Sequence, residues 1–223
     1  MQTPPEQAAL PAGLTLHARE GRLVLSDGQM EVCGDFARML PRLRRNALSR
    51  EMLVKAAHVK GAERPVAVDA TAGLGDDSLL LAAAGFEVVM FERNPVIAAL
   101  LADALKRAME TPELAAVATR MRLVEGDSQI GLPHLDEAPD VVLLDPMFPA
   151  KHGDARAKKK LQLLQRLERP CQDEESLLEA AIAAHPRKVV VKRPIKGPHL
   201  ANRKPSYSLK GKTVRYDVHV IAR

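Results

Sequence analysis

The run PVAVDATAGLGDDSLLLAAAGFEVVMFERNP at residues 65–95 settles the architecture. Residues 66–69 are apolar up to Asp69 and predict a short buried strand. Residues 71–75, TAGLG, predict a tight glycine turn. Residues 77–84 predict an apolar helix that Gly85 stops. Residues 87–91 predict a second strand, which delivers Glu92. Strand, glycine turn, helix, strand and acid make the nucleotide-binding half of a doubly wound α/β fold. Gly73 and Gly75 let backbone approach a ligand where a Cβ would collide. Glu92 falls nineteen residues after Gly73, about where a carboxylate reaches a ribose diol. The pattern predicts an adenosine-containing ligand.

Working forward, Asn94 is placed to cap a helix that begins at Pro95, runs to about Met109 and is closed off by Pro112. Residues 121–124 predict a third strand that ends in Gly126-Asp127-Ser128. Ligands sit beyond the C-terminal strand ends of such sheets, so Asp127 is in place to hold an adenine amino group, with Ser128 beside it. The competing reading of Asp127 is an Asx-turn that serves only its own backbone. Residues 141–144 are unbroken apolar, as expected of a central parallel strand. They lead into DPMFP at 145–149 and then a basic run, KHGDARAKKK. Residues 161–167 and 173–184 predict helices, and 187–191 a fifth strand exiting into Lys192-Arg193-Pro194. Residues 206–209 and 213–221 predict a terminal antiparallel hairpin around Lys210-Gly211-Lys212.

Working backward, residues 36–60 predict a mostly helical segment after a break at Pro41. Arg42, Arg44 and Arg45 cluster there, either to hold phosphates or as a solvated face. Residues 14–17, 22–26 and 30–33 are short β-prone runs parted by Glu20-Gly21 and Asp27-Gly28. The expected organisation is a small β region at 1–35, basic linking helices at 36–61 and the main α/β domain at 62–223.

The chain has 223 residues and a formal charge of +5. That length buries an aliphatic core without staples. Two cysteines, Cys33 and Cys171, are too few for a disulfide framework. The first residues do not read as a secretory signal, and no apolar run approaches membrane-helix length. A soluble cytoplasmic protein is expected. The histidines lack metal-ligand spacing, there is no HExxH, CxxC or GxSxG, and no GK[ST] follows the glycine turn. No metal is expected.

DPMFP carries the sharpest chemistry. An exocyclic amino group that attacks an electrophilic methyl has its lone pair tied up in the ring. Two acceptors gripping its N–H groups favour the nucleophilic geometry. Asp145 supplies a carboxylate, and Pro146 supplies a backbone carbonyl. Phe148 would stack on the base. This is positioning plus electrostatics. The plainer readings are a strand-end turn for Asp145 and a core aromatic for Phe148.

On these residues the chain resembles the small-subunit ribosomal RNA guanine-N2 methyltransferases of the RsmJ type. The resemblance rests on VDATAGLG at 68–75 with Asp77, FERNPVIAALL at 91–101, DPMFP with Lys159 and Lys160, and VVVKRP at 189–194. It implies a Rossmann-like class I methyltransferase sheet, mostly parallel, with seven strands, a terminal antiparallel hairpin and a small N-terminal β appendage. It implies S-adenosylmethionine as cofactor and methyl transfer to N2 of one guanine near the 3′ end of 16S rRNA. The cofactor contacts it implies are Asp76, Asp77, Glu92, Arg93, Asp127, Ser128 and Asp145, added to Asp69, Gly73 and Gly75 of the turn. Arg42, Arg44, Arg45, Lys158, Lys159, Lys160, Lys192 and Arg193 are the candidate contacts to 16S rRNA or the small subunit. Two departures stand out. The family more often has arginine where this chain has Asp76, and glycines where it has Asn46-Ala47-Leu48.

Three other functions compete. DNA-adenine and protein-glutamine methyltransferases use an acid or Asn followed by Pro-Pro and an aromatic, and Met147 departs from that. A nicotinamide oxidoreductase predicts a tight GxGxxG, which Gly73-Leu74-Gly75-Asp76-Asp77-Ser78 does not supply. A non-catalytic RNA-binding module has no use for DPMFP at that strand end.

Overall fold

The computed structural model describes residues 10–146, 162–167 and 173–222. A three-stranded antiparallel sheet comes first, with β1 (Thr15–Arg19), β2 (Arg22–Ser26) and β3 (Glu31–Val32). It rests on the longest helix among the described residues, α5 (Pro95–Met109), through Leu14, Leu25 and Val32 against Val96 and Leu100. The Leu23 N–H donates to Asp103 on that helix at 3.1 Å.

The main sheet is β6 (Met121–Glu125), β5 (Glu87–Glu92), β4 (Val66–Asp69), β7 (Val141–Leu144), β8 (Lys188–Pro194), β10 (Val214–Val220) and β9 (Tyr207–Lys210), in that spatial order. The first five are parallel, and β10 pairs antiparallel with both β8 and β9. This is the expected class I methyltransferase sheet. Alternation along the central strands sorts their side chains. Ala67, Val141 and Leu143 face the layer of α3 (Met52–Ala57), α4 (Asp76–Ala83) and α5. Val68, Val142 and Leu144 face the layer of α8 (Glu174–Ala183). All four residues of β7 are fully buried, which an aliphatic strand covered on both faces requires.

The helices form where local chemistry allows. Asn94 accepts the N–H groups of Val96 at 3.0 Å and Ile97 at 3.2 Å and so caps α5, with Pro95 in its first turn. Gly75, at φ 81°, starts α4, and Asp76 and Asp77 occupy its favourable first turn.

Three expectations need correction. Residues 36–60 are not one helix after a break at Pro41. They are a 3-10 turn and three short helices, α1 (Leu40–Leu43), α2 (Arg45–Leu48) and α3. Pro41 sits harmlessly in the first turn of α1, and the breaks fall at Arg44 and Glu51, whose ψ angles are 136° and 127°. Pro112 closes nothing: it opens α6 (Pro112–Ala118). The fifth parallel strand does not stop at Val191. Pairing of Lys192 with Tyr216 and of Arg193 with Arg215 carries β8 on to Pro194.

Candidate active site

The chain leaves β4 toward β5 and β6 on one side and returns to β7 on the other. A crevice opens at such a switch point, beyond the C-terminal strand ends. Here it is an open cleft of about 700 Å³, counting its mouth. Its polar wall holds Thr71, Gly73, Glu92, Arg93, Asp127, Ser128, Asp145 and Pro146, and Phe91, Ile97, Leu164 and Leu177 make it apolar behind.

Glu92 is the organising group on one side. Its side chain lies at the end of β5 and the residue is 4 % exposed. The Gly73 N–H donates to one carboxylate oxygen at 2.9 Å, and the Asn94 N–H to the other at 2.8 Å. The glycine turn is thereby locked onto the acid. An added Cβ at Gly73 would meet no protein atom within 4 Å, which leaves that backbone open to a ligand. Asp127 caps α7 (Ser128–Gly131), accepting the Gln129 N–H at 2.9 Å. The Asx-turn is therefore real, and Asp127 lines the cleft as well.

On the other side, the Asp145 N–H donates to the Thr71 hydroxyl at 2.6 Å, which ties β7 to the glycine turn. Lys192 Nζ sits 2.8 Å from Asp145 Oδ2 and 2.6 Å from Asp77 Oδ2. Burial works against the lysine's charge, but the carboxylates of Asp145 and Asp77 outweigh it and hold its pKa well above the ordinary value. Burial raises the Asp145 pKa; the Lys192 ammonium opposes this and Asp77 adds to it. Asp145 is thus a carboxylate of raised basicity, not one at its usual low pKa.

Four residues of the expected site do not line the cleft. Asp69 is turned inward and 1 % exposed. It accepts the Thr71 N–H at 3.1 Å and the Ser78 hydroxyl at 2.5 Å. Burial pushes its pKa up to about 7, against the pull of the Ser78 hydroxyl. Its side chain is scaffold for the turn, a correction to its expected contact with the ligand. Gly75 also needs another reason: its φ of 81° strains any side chain, and a Cβ there would press on the ends of Leu101 at 2.7 Å and Phe36 at 3.0 Å. Asp76 is ion-paired with Arg38, and Asp77 faces Lys192.

Among the expected RNA contacts, Arg193 is corrected. Its side chain is fully buried and pairs with Glu174 at 3.2 Å, so it does not reach a surface phosphate. Lys192 is committed to its two carboxylates. Arg42 forms a two-pronged pair with Glu51, and Arg44 and Arg45 are exposed. Phe148, Lys158, Lys159 and Lys160 lie outside the described residues. Thr71 and the Lys192 bridge escaped the sequence reading. Thr71 stood inside the glycine turn as its one hydroxyl, whereas nothing local joins Lys192 to residues 77 and 145.

The residues present fit S-adenosylmethionine. A carboxylate held by backbone N–H groups suits a ribose diol, the glycine turn leaves room for its chain, and apolar walls beside Asp127 suit a purine. No group of three or more possible metal ligands occurs among the described residues.

A family of SAM-dependent methyltransferases matches residues 7–221. Ribosomal RNA small subunit methyltransferase J of Thioalkalivibrio sulfidiphilus is 45% identical over 221 residues, 96% of this chain and 87% of that protein. Its namesake in Pseudomonas aeruginosa is 48% identical over 172 residues, 77% of this chain and 66% of that protein. The crystal structure of a SAM-dependent methyltransferase from Neisseria gonorrhoeae superimposes with a TM-score of 0.76 at 36% identity, covering 99% of this chain and 86% of that one. With a cleft of matching chemistry at the switch point, the chain belongs to the S-adenosylmethionine-dependent methyltransferases, in the family of ribosomal RNA small subunit methyltransferase J.

Proposed function

We infer that the protein transfers a methyl group from S-adenosylmethionine to the exocyclic N2 amino group of a guanine near the 3′ end of 16S rRNA. The observation that carries the reading is Asp145-Pro146 on the wall of a cofactor-shaped cleft, in a chain related to small-subunit rRNA methyltransferases along almost its whole length.

When bound, the cofactor supplies an electrophilic methyl group on a sulfonium. Glu92 receives the ribose hydroxyls on lone pairs that the Gly73 and Asn94 N–H groups leave over. Asp127 commits Oδ1 to Gln129, leaving Oδ2 for the adenine amino group. Arg93 and Ser128 complete that wall, and Asp76 and Asp77 stand behind it in the first turn of α4. Lys192 takes Oδ2 of Asp145, so Oδ1 is the oxygen that grips the guanine amine. The Pro146 carbonyl accepts its second N–H. The methylated amine is a strong acid, and Asp145 accepts its proton readily because burial has raised its pKa. Arg44 and Arg45 hold RNA phosphates at the rim.

The test is methyl transfer from labelled cofactor to small subunits that lack the modification, with the modified nucleoside mapped. N2-methylguanine near the 3′ end is expected; label on another base or none on rRNA overturns the reading. In single turnover at saturating cofactor, Asp145→Ala should lose at least about a hundredfold, the scale of one preorganised electrostatic group. Asp145→Asn keeps an acceptor oxygen and should retain part of the rate. Full activity in Asp145→Ala removes this residue from the mechanism.

A further inference from the structure

We propose that the groove between residues 195–206 and the edge strand β9 is a second docking surface for the RNA backbone, continuous with the rim of the cleft. The proposal rests on the rRNA methyltransferase reading and extends it to residues outside the cleft.

Charge is the first argument. From Pro194 to Tyr216 the sequence has no Asp or Glu. Lys196, Arg203, Lys204, Lys210 and Lys212 are all exposed, and none has an ion pair among the described residues. Four surface arginines elsewhere are matched, Arg19 by Glu31, Arg22 by Asp35, Arg64 by Glu87 and Arg187 by Asp140. Arg120 and Arg122 are exposed without an ion pair among the described residues but stand near acids in sequence, unlike the acid-free stretch here. A row of unmatched cations repels itself unless a polyanion lies across it.

Rigidity is the second. The segment after β8 is irregular, with Ala201 and Asn202 in left-handed conformation at φ 49° and 53°. It is nevertheless pinned from beneath. Arg215, buried in β10, donates to the carbonyls of Pro194 at 2.9 Å, Ile195 at 3.0 Å, Gly197 at 2.8 Å and Pro198 at 3.2 Å. Arg193 adds a bond to Pro198 at 2.9 Å. Asp217 neutralises Arg215 and also meets His199 at 2.8 Å. A surface loop with no partner needs no such foundation, whereas a binding loop gains from being held in its bound shape.

Placement is the third. Lys210 pairs with Arg215, which pairs with Arg193, so Lys210 stands level with the C-terminal end of β8, with β10 between them. Gly211 approaches Met52 of α3, which follows the helix bearing Arg45. The groove, about 810 Å³ with its open mouth, runs from Lys210 past His199 and Ser206 to Tyr207, which is 39 % exposed. A strand whose target base enters the cleft thus meets cations and then an aromatic ring along the sheet edge. Lysines also protect edge strands from mispairing. That explains Lys210 but not Lys196, Arg203 and Lys204, which lie off the strand.

The experiment compares wild type with K196Q/R203Q/K204Q, K210Q/K212Q and a control, K106Q/R122Q, whose charges lie on α5 and the opposite edge strand. Binding of an unmodified 16S rRNA transcript is measured from low to high salt, with cofactor affinity and thermal melting as checks on folding. Removing one cation that neutralises a phosphate should lower the salt slope by about 0.7–0.9. Both groove variants should show this with cofactor affinity unchanged, and the control should not. An unchanged slope in the groove variants, or an equal fall in the control, overturns the proposal. Wild type is assayed in parallel for methyl transfer to small subunits assembled on the transcript. Transfer with an unaltered slope sinks only the docking surface, whereas no transfer sinks the parent reading and the docking surface with it.

Discussion

The two halves of the main sheet are built by different physics. On the β4–β5–β6 side, polar groups are satisfied by backbone close at hand: Glu92 by Gly73 and Asn94, Asp69 by Thr71, Asp127 by Gln129. On the β8–β10–β9 side, buried charged side chains do the same task. Arg215 and Asp217, 5% and 2% exposed, hold His199, Ser208 and the loop after β8, and Arg193 pairs with Glu174. The hydrogen bonds from Arg215, Ser208 and His199 outweigh burial and keep the Asp217 pKa down at about 2. The cofactor half shapes a cleft from short regular elements. The other half fixes an irregular loop, and only long side chains reach far enough to do so.

The largest expected effect tests that second construction. Arg215→Met leaves Asp217 buried without its main partner and takes a donor from four loop carbonyls, of which Pro198 keeps Arg193 and Pro194 keeps the Gly197 N–H. Breaking a buried pair costs about 3–5 kcal/mol. Urea unfolding should show that loss, while the protein that remains folded keeps its cofactor affinity. A loss under about 1 kcal/mol would mean that the loop is held by something else and would break the comparison.

Next comes the converse variant in the cofactor half. Glu92→Ala deletes charge-assisted bonds to the ligand, each worth about 1.5–3 kcal/mol, so affinity should fall about tenfold or more. Calorimetry with S-adenosylmethionine measures it. Unchanged affinity takes Glu92 out of the site.

Lys192 sits on the seam between the halves, in β8 but facing Asp77 of α4 and Asp145 of β7. Asp69, Asp76, Arg42 and Tyr216 share the electrostatic neighbourhood. Lys192→Met removes the cation that opposes protonation of Asp145. The acid limb of the methyl-transfer pH profile should move to higher pH, and Lys192→Arg should restore it. A limb that stays in place separates the lysine from the chemistry and makes it a packing residue.

The smallest effect concerns Asp69. In the folded protein it keeps its proton up to about 7, far above the ordinary carboxylate value of 3.8. Folding therefore takes up a proton between those values. The stability this group contributes is fully present below 3.8 and is lost as pH rises through about 7. Asp69→Asn is neutral throughout and keeps an acceptor for Thr71. Its urea midpoint should vary less than that of wild type between pH 5 and 8. Equal pH dependence in both proteins would place the titration elsewhere.

Legibility followed the same divide. Residues 65–95 could be read because the signals that set their elements are local: apolar period, glycine turn, cap and acid. Asp145 and Pro146 could be placed at the cleft because they adjoin in sequence at the end of an unbroken apolar strand. Arg193 was misread as a surface contact because a charged residue after a strand is normally exposed. Its burial depends on Glu174, 19 positions away, and on a hairpin that follows it.

The sequence by itself determined the order of elements, the parallel core and the acids at the strand ends, since periodicity, glycine and proline act over a few residues. Tertiary structure alone decided which acids face the cleft. Asp69 and Glu92 end neighbouring strands with the same chemistry, yet one turns in to Ser78 and the other lines the ligand wall. It also decided that Lys192 bridges residues 77 and 145, and that Arg215 carries the loop above it. Those partners meet only when β8, β10 and the glycine turn come together, because Coulomb attraction and hydrogen bonding depend on distance in space and not along the chain.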